Sequence, residues 1–160
     1  MTLTVGDAFP TLTVQTCDAL GAPEPLALGP WLAGRKVVVF GVPGAFTPTC
    51  SARHLPGFVA KAAALRAKGI AAIGCHSVND AFVMGAWAES AGSDDITMIA
   101  DGAARLTKAL GLEVDLSDAG LGLRCKRYAA ILEDGRVSYL GVEEGQDFGV
   151  SSAEAVLEAL

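Results

Sequence analysis

Residues 36–42, KVVVFGV, constrain this chain more than any other stretch. Three valines and a phenylalanine in succession leave no polar position facing water, so the run does not fit a half-exposed strand, which alternates. It is also too short for a buried helix. Such a run is a strand covered on both faces, as in the middle of a sheet flanked by helices, and the rest of the chain must supply that cover.

The flanking stretches do so. After the loop 43–49, residues 51–68 place Phe58, Val59, Ala62 and Leu65 on one helical face. Pro56-Gly57 should kink or interrupt the first turns. Gly69 ends that helix, and residues 70–75 (IAAIGC) read as a second strand, with His76 a loop residue beyond it. The spacing of Ser77 and Asp80 fits a capping box before a helix over 80–90. A short strand at 96–100, a turn at Asp101-Gly102 and a helix over 103–110 closed by Gly111 follow. Residues 127–133 and 136–142 flank Asp134-Gly135, a dipeptide suited to a two-residue type I′ turn, so they should form a β-hairpin, with a last helix over 153–160. The expected fold is α/β: a thioredoxin-like mixed central sheet flanked by helices, with an N-terminal hairpin and a C-terminal β-hairpin plus helix.

With 160 residues, 51% hydrophobic and 19% charged, the chain suits one globular domain over 1–160. Its net charge is −6 and its 12 Lys and Arg are scattered, which disfavours nucleic acid as a partner. The opening MTLTVGDAFP lacks the pattern of a signal peptide, and no stretch reaches the ~18 apolar residues of a membrane span, so a cytoplasmic location away from membranes is expected. Four cysteines, Cys17, Cys50, Cys75 and Cys125, show no C-x-x-C and no zinc-type grouping. No metal site is expected.

Cys50 stands out because the pattern puts it at the head of a helix, where free N–H groups and the helix dipole stabilise a thiolate. Thr47 can donate a hydroxyl hydrogen bond nearby, and Pro43 and Pro48 hold the loop without offering competing N–H groups. Composition alone leaves a buried capping cysteine as an equal reading.

Residues 41–58, GVPGAFTPTCSARHLPGF, contain P-x-x-x-T-x-x-C and resemble the active-site segment of peroxiredoxins of the peroxiredoxin-5 or type II subfamily. The resemblance extends to VGDAFP near the start, SVNDAFVMGAW after the second strand and RYAAILEDGRV near the end. It implies a cofactor-free thiol peroxidase that reduces hydrogen peroxide and alkyl hydroperoxides through a Cys50 sulfenic acid. Thr47 would position the cysteine and peroxide, Pro43 would shield them from water, and Arg127 would match the active-site arginine, with Arg124 its rival. A fixed guanidinium would also offer donors to the peroxide oxygens as charge moves onto the leaving one. Phe46 and Leu55 would make the substrate pocket tolerant of alkyl groups, with His54, one turn beyond Cys50, packing or hydrogen-bonding beside it.

The resemblance leaves recycling open. Cys75 lies 25 residues after Cys50 (75 − 50), as in plant-like members where that cysteine is proposed to resolve the sulfenic acid. The C-terminal resolving cysteine of human-like members has no counterpart in residues 145–152, GQDFGVSS. Cys17, placed in the loop of the N-terminal hairpin, and Cys125 match no family pattern. Glutathione, glutaredoxin or thioredoxin would then be the reductant, and a homodimer is the family's usual state. A redox sensor or holdase using the same cysteine is the alternative, distinguished by slow turnover.

Overall fold

The computed structural model describes residues 2–18 and 21–160. The N-terminal hairpin is β1 (Thr13–Cys17) with β2 (Pro23–Ala27), followed by the single-turn helix α1 (Leu28–Leu32) and β3 (Lys36–Gly41). Then come α2 (Leu55–Ala67), β4 (Ala72–Ser77), α3 (Ala81–Ala91), β5 (Thr97–Ala100) and α4 (Arg105–Leu110). A small separate hairpin, β6 (Glu113–Leu116) with β7 (Gly122–Cys125), precedes β8 (Tyr128–Glu133), β9 (Arg136–Val142) and α5 (Ala153–Glu158). Among the described residues no helix is long and apolar enough to cross a membrane.

Seven strands form one mixed sheet in the order β2-β1-β5-β4-β3-β8-β9. β3 runs parallel to β4 and antiparallel to β8, so it is paired on both edges as well as covered on both faces. Its side chains divide by parity. Val38 and Phe40 enter the core under α2, α3 and α5 together with Phe58, Leu65, Met84, Trp87 and Val156. Val37 and Val39 enter a second core on the opposite face with Leu28, Leu106, Leu110 and Tyr128. The expected thioredoxin-like arrangement is present.

Several local expectations need correction. Asp80 alone caps α3, accepting from the Val83 amide at 2.8 Å, while Ser77 belongs to β4 and donates to Asn79 Oδ1 at 2.6 Å. Cys17 ends β1 opposite Pro23 and does not lie in the hairpin loop. The α1 turn and the β6–β7 hairpin escaped the sequence reading because each is too short to show a period. The Asp134-Gly135 turn is as expected, with positive φ at both residues (50° and 77°), the requirement of type I′.

His76 is not in a loop. It is a fully buried residue of β4, facing away from its neighbour Cys75, because successive strand residues point to opposite faces. Its Nδ1 meets the Tyr128 hydroxyl at 2.9 Å and its Nε2 meets Asp101 Oδ2 at 3.1 Å. Thr107 donates its hydroxyl to the same carboxylate oxygen at 2.7 Å, and the Leu106 and Thr107 amides complete the shell. Burial opposes the Asp101 charge, yet these partners, His76 foremost, outweigh it and hold the carboxyl below its usual range.

Tyr128 also explains Gly41: a Cβ built there would land inside the Tyr128 ring. Both residues sit in paired central strands, so neither can retreat. Gly41→Ala should therefore lower stability by about 1–3 kcal/mol through overpacking, measured by urea denaturation. An unchanged midpoint would show that the ring can move.

Candidate active site

The chain leaves β3 at Gly41, turns through residues 42–47 and enters helix at Pro48. The helix begins irregularly. Cys50–His54 is a π turn, closed by the Leu55 amide reaching back to the Cys50 carbonyl. Pro56 accounts for it: proline has no N–H, and its ring crowds the carbonyl four residues before, here Ala52. Widening the turn by one residue relieves the clash without breaking the helix, so the expected kink takes this form. The wide turn keeps His54 on the same side as Cys50.

The Cys50 thiol is fully buried. Arg127, immediately before β8, donates from Nη2 to its Sγ at 3.2 Å. Strand parity aims it there, since Ala129 and Ile131 face the Cys50 core, and the residue two before Ala129 continues that face. Arg127 Nη1 donates to His54 Nδ1 at 2.9 Å, and His54 Nε2 meets the Ser151 carbonyl at 2.8 Å. These partners assign the tautomer. A carbonyl only accepts, so Nε2 carries the hydrogen, and a guanidinium only donates, so Nδ1 is bare. Burial, and then the Arg127 charge, push the His54 pKa down to about 3. Its neutral ring is thus an acceptor that fixes the guanidinium.

The Phe148 ring lies over this group, 4.7 Å from the Arg53 guanidinium carbon and 5.9 Å from that of Arg127, with the His54 ring edge-on at 5.1 Å. On the loop side, Thr47 donates its hydroxyl to the Gly44 carbonyl at 2.7 Å, and its own carbonyl accepts from the Ser51 amide at 2.9 Å. The hydroxyl proton therefore points to Gly44 and not to the thiol. What the oxygen retains is lone pairs, suited to accept from an incoming O–H.

Arg124 holds the outer side of the loop. It donates to the Pro43 carbonyl at 3.3 Å and to the Leu121 carbonyl at 2.8 Å. Asn79 ties the loop to the segment after β4 by accepting from the Ala45 amide at 3.0 Å.

Of the expected pocket residues, Leu55 is fully buried in the core cluster that also holds Cys50 and Phe58, and His54 hydrogen-bonds beside the sulfur through Arg127, as the sequence suggests. Phe46 is 54% exposed at the loop tip, with a positive φ of 63° that is costly for an aromatic residue.

Cys75 lies within β4, paired to Phe40 on one side and Met98 on the other, and shares the core that holds Cys50. Burial pushes its thiol pKa well up. Cys125 ends β7, also buried, and burial raises its thiol as well. Among the described residues no group of His, Cys, Asp and Glu is placed to hold a metal ion. Sequence reading missed Phe148, Ser151 and Glu143, which lie about a hundred residues beyond Cys50; only a β9 that ends beside Arg127 brings them in.

A mixed sheet of this order, with a buried cysteine in the first turn of the helix after its central strand, is the thioredoxin-like arrangement, and the arginine on the sulfur marks that cysteine as the candidate reactive thiol. The redoxin family matches residues 4–157. The chain is 53% identical to rice peroxiredoxin-2E-2, covering 99% of this chain and 73% of that one, and 47% identical to Arabidopsis thaliana peroxiredoxin-2D, covering 99% and 98%. The structure of reduced Prx3 from Vibrio vulnificus with hydrogen peroxide superposes with a TM-score of 0.93 at 46% identity, over 99% of this chain and 96% of that one. The chain therefore belongs to the peroxiredoxins, in the type II group, and is a thiol peroxidase, an oxidoreductase acting on peroxide.

The depressed His54 pKa has a measurable consequence. In the unfolded chain the ring protonates near 6.5, in the folded one only near 3, so between these values the unfolded state binds more protons. Stability is then lost as pH falls from 6.5 towards 3, by at most about 1.4 kcal/mol per pH unit from this ring. NMR should find the His54 ring neutral, with the hydrogen on Nε2, from pH 8 to 4.5. A titration near pH 6.5 would refute the assignment.

Proposed function

We propose that Cys50 is the nucleophile of the peroxidase reaction and Arg127 its electrostatic partner. The observation that carries this is the guanidinium placed at once on Sγ and on neutral His54. The Cys50 thiolate attacks one oxygen of a hydroperoxide in line with the O–O bond. A sulfur–oxygen bond forms, the O–O bond breaks, and its electron pair leaves with the distal oxygen, which takes a proton and departs as water or alcohol. Cys50 becomes a sulfenic acid. The Arg127 N–H groups stabilise the charge on the leaving oxygen, Thr47 accepts from the peroxide hydroxyl, and Pro43 keeps the loop closed against water. The hydrogen peroxide held by the Vibrio vulnificus relative supports hydrogen peroxide as substrate here.

An external thiol then condenses with the sulfenic acid, releasing water and leaving a mixed disulfide, which a second thiol reduces. Glutathione with glutaredoxin, or thioredoxin, supplies these electrons. The position of Cys75, in the middle of a strand paired on both edges, supports this route over an internal disulfide. The exposed rings of Phe46 and Phe82, on segments joined through Asn79, support a homodimer at this edge.

Cys50→Ser should abolish peroxide consumption with an unchanged circular dichroism spectrum, and turnover with any thiol would sink the mechanism. Arg127→Ala should slow Cys50 oxidation by ~10²–10³ in stopped-flow experiments, the loss typical of a removed transition-state donor. Arg124→Ala, which loses a loop contact only, should cost less, and the reverse ranking would mean that Arg124 carries the role.

Recycling is tested with Cys75→Ser. The variant should keep most of its turnover with glutathione and glutaredoxin, while oxidised wild type accumulates a mixed disulfide at Cys50 detectable by peptide mass spectrometry. Rapid, near-complete formation of a Cys50–Cys75 disulfide would overturn the external route.

A further inference from the structure

Beyond the pair that touches the sulfur, Glu143 follows β9 at the point where the chain leaves the sheet edge. It is buried, and its Oε2 collects three donors: the Gly149 amide at 2.7 Å, the Ser151 amide at 2.8 Å and the Ser151 hydroxyl at 2.6 Å. Burial works against its charge, but the Ser151 hydroxyl and the amides outweigh this and hold the carboxyl below its usual range. The segment so gripped is the one whose Ser151 carbonyl takes the His54 hydrogen. The Glu143 amide, meanwhile, donates to the Arg127 carbonyl at 2.9 Å.

One residue thus holds both ends of the arginine. Its main chain fixes the backbone from which Arg127 starts, and its carboxylate, through Ser151 and His54, fixes the guanidinium. We propose that Glu143 is a positioning residue for peroxide reduction, aligning Arg127 on the Cys50 sulfur through Ser151 and His54.

The chain of contacts explains why the grip matters. A neutral imidazole has one donor and one acceptor nitrogen, and which is which depends on its outer partner. The Ser151 carbonyl takes the Nε2 hydrogen and leaves Nδ1 bare towards Arg127. If segment 149–151 shifts, that hydrogen loses its partner, the ring can turn or change tautomer, and Nη1 loses its acceptor. Arginine is long and rotamer-rich, so a guanidinium held by the sulfur alone would sample other directions. Phe148, on the gripped segment, closes over the same group.

The inference rests on the role proposed above for Arg127, and a double-mutant cycle separates the two. Rates of Cys50 oxidation by hydrogen peroxide are measured for wild type, Glu143→Ala, Arg127→Ala and the double variant, with Tm for each. If Glu143 acts through Arg127, Glu143→Ala slows oxidation roughly ten-fold in the wild-type background and less than about two-fold when Arg127 is already alanine. Glu143→Gln, whose carbonyl oxygen can keep the three donors, should recover the rate to within about three-fold.

Equal losses in both backgrounds, or a wild-type rate in Glu143→Ala, would overturn the inference and leave the Arg127 role standing. A wild-type rate in Arg127→Ala would remove that role and the inference with it. Should Glu143→Ala fail to fold, Glu143→Asp, shorter by one methylene, replaces it in the same cycle with the same criteria.

Discussion

A sulfur with no solvent exposure can carry negative charge only if the fold supplies the opposite sign within reach, and much of this structure is arranged to meet that demand. The Arg127 nitrogen 3.2 Å from Cys50 Sγ supplies it. For unit charges near this distance and an effective dielectric of about 20, the attraction is on the order of 4 kcal/mol. The end of a helix contributes less, roughly 0.3–2 kcal/mol depending on burial, to a neighbouring charge. In the proposed reaction the helix places the thiol and Arg127, the cation on its sulfur, faces the charge directly. A helix that starts two residues before the cysteine and opens into a π turn remains serviceable for this reason.

Holding an arginine there constrains the surroundings in turn. Its guanidinium has donors to spare, and any not on the sulfur must meet an acceptor that does not compete for the charge. A carboxylate in that position would pair with Arg127 and weaken its hold on the thiolate. Neutral His54 accepts one N–H without adding negative charge, and its burial keeps it neutral. The negative charge of Glu143 stands one step further back, spent on the donors of Gly149 and Ser151. Order of placement, carboxylate then imidazole then guanidinium then sulfur, lets a buried acidic residue support the site without neutralising it.

What the sequence disclosed follows from how local each signal is. Residues 36–42 declared a two-sided central strand because four side chains in succession state their own burial, and Asp134-Gly135 declared its turn because both residues tolerate positive φ. Cys50 and Arg127 were legible through a resemblance covering their segments. His76 was not, because its partners Asp101, Thr107 and Tyr128 come from other parts of the chain, and a histidine after an apolar run reads as a loop residue beyond the strand until they are known. Leu55 was placed in the pocket from nearness in sequence to Cys50. It is fully buried in the same core cluster as Cys50, a degree of burial that composition does not reveal.

The same geometry bears on how oxidised Cys50 is reached. A resolving thiol carried on the C-terminal segment would have to move with that segment to meet an oxidised Cys50. Here the corresponding segment is tied at Gly149 and Ser151 by Glu143, at Val150 by the Tyr139 hydroxyl and at Ser151 by His54, so moving it would release the arginine's support. A segment used to hold Arg127 is poorly suited to carry a travelling cysteine. Cys75 faces the opposite difficulty, being close to the site but sealed in a strand whose exposure would open the sheet beside β3. Loosening the first turns at Cys50–His54 costs less, because a π turn before a proline lacks part of the regular hydrogen bonding that other helical turns have. On the recycling route proposed above, access would run through the cysteine's own turn towards solvent, where a thiol from another molecule could meet it.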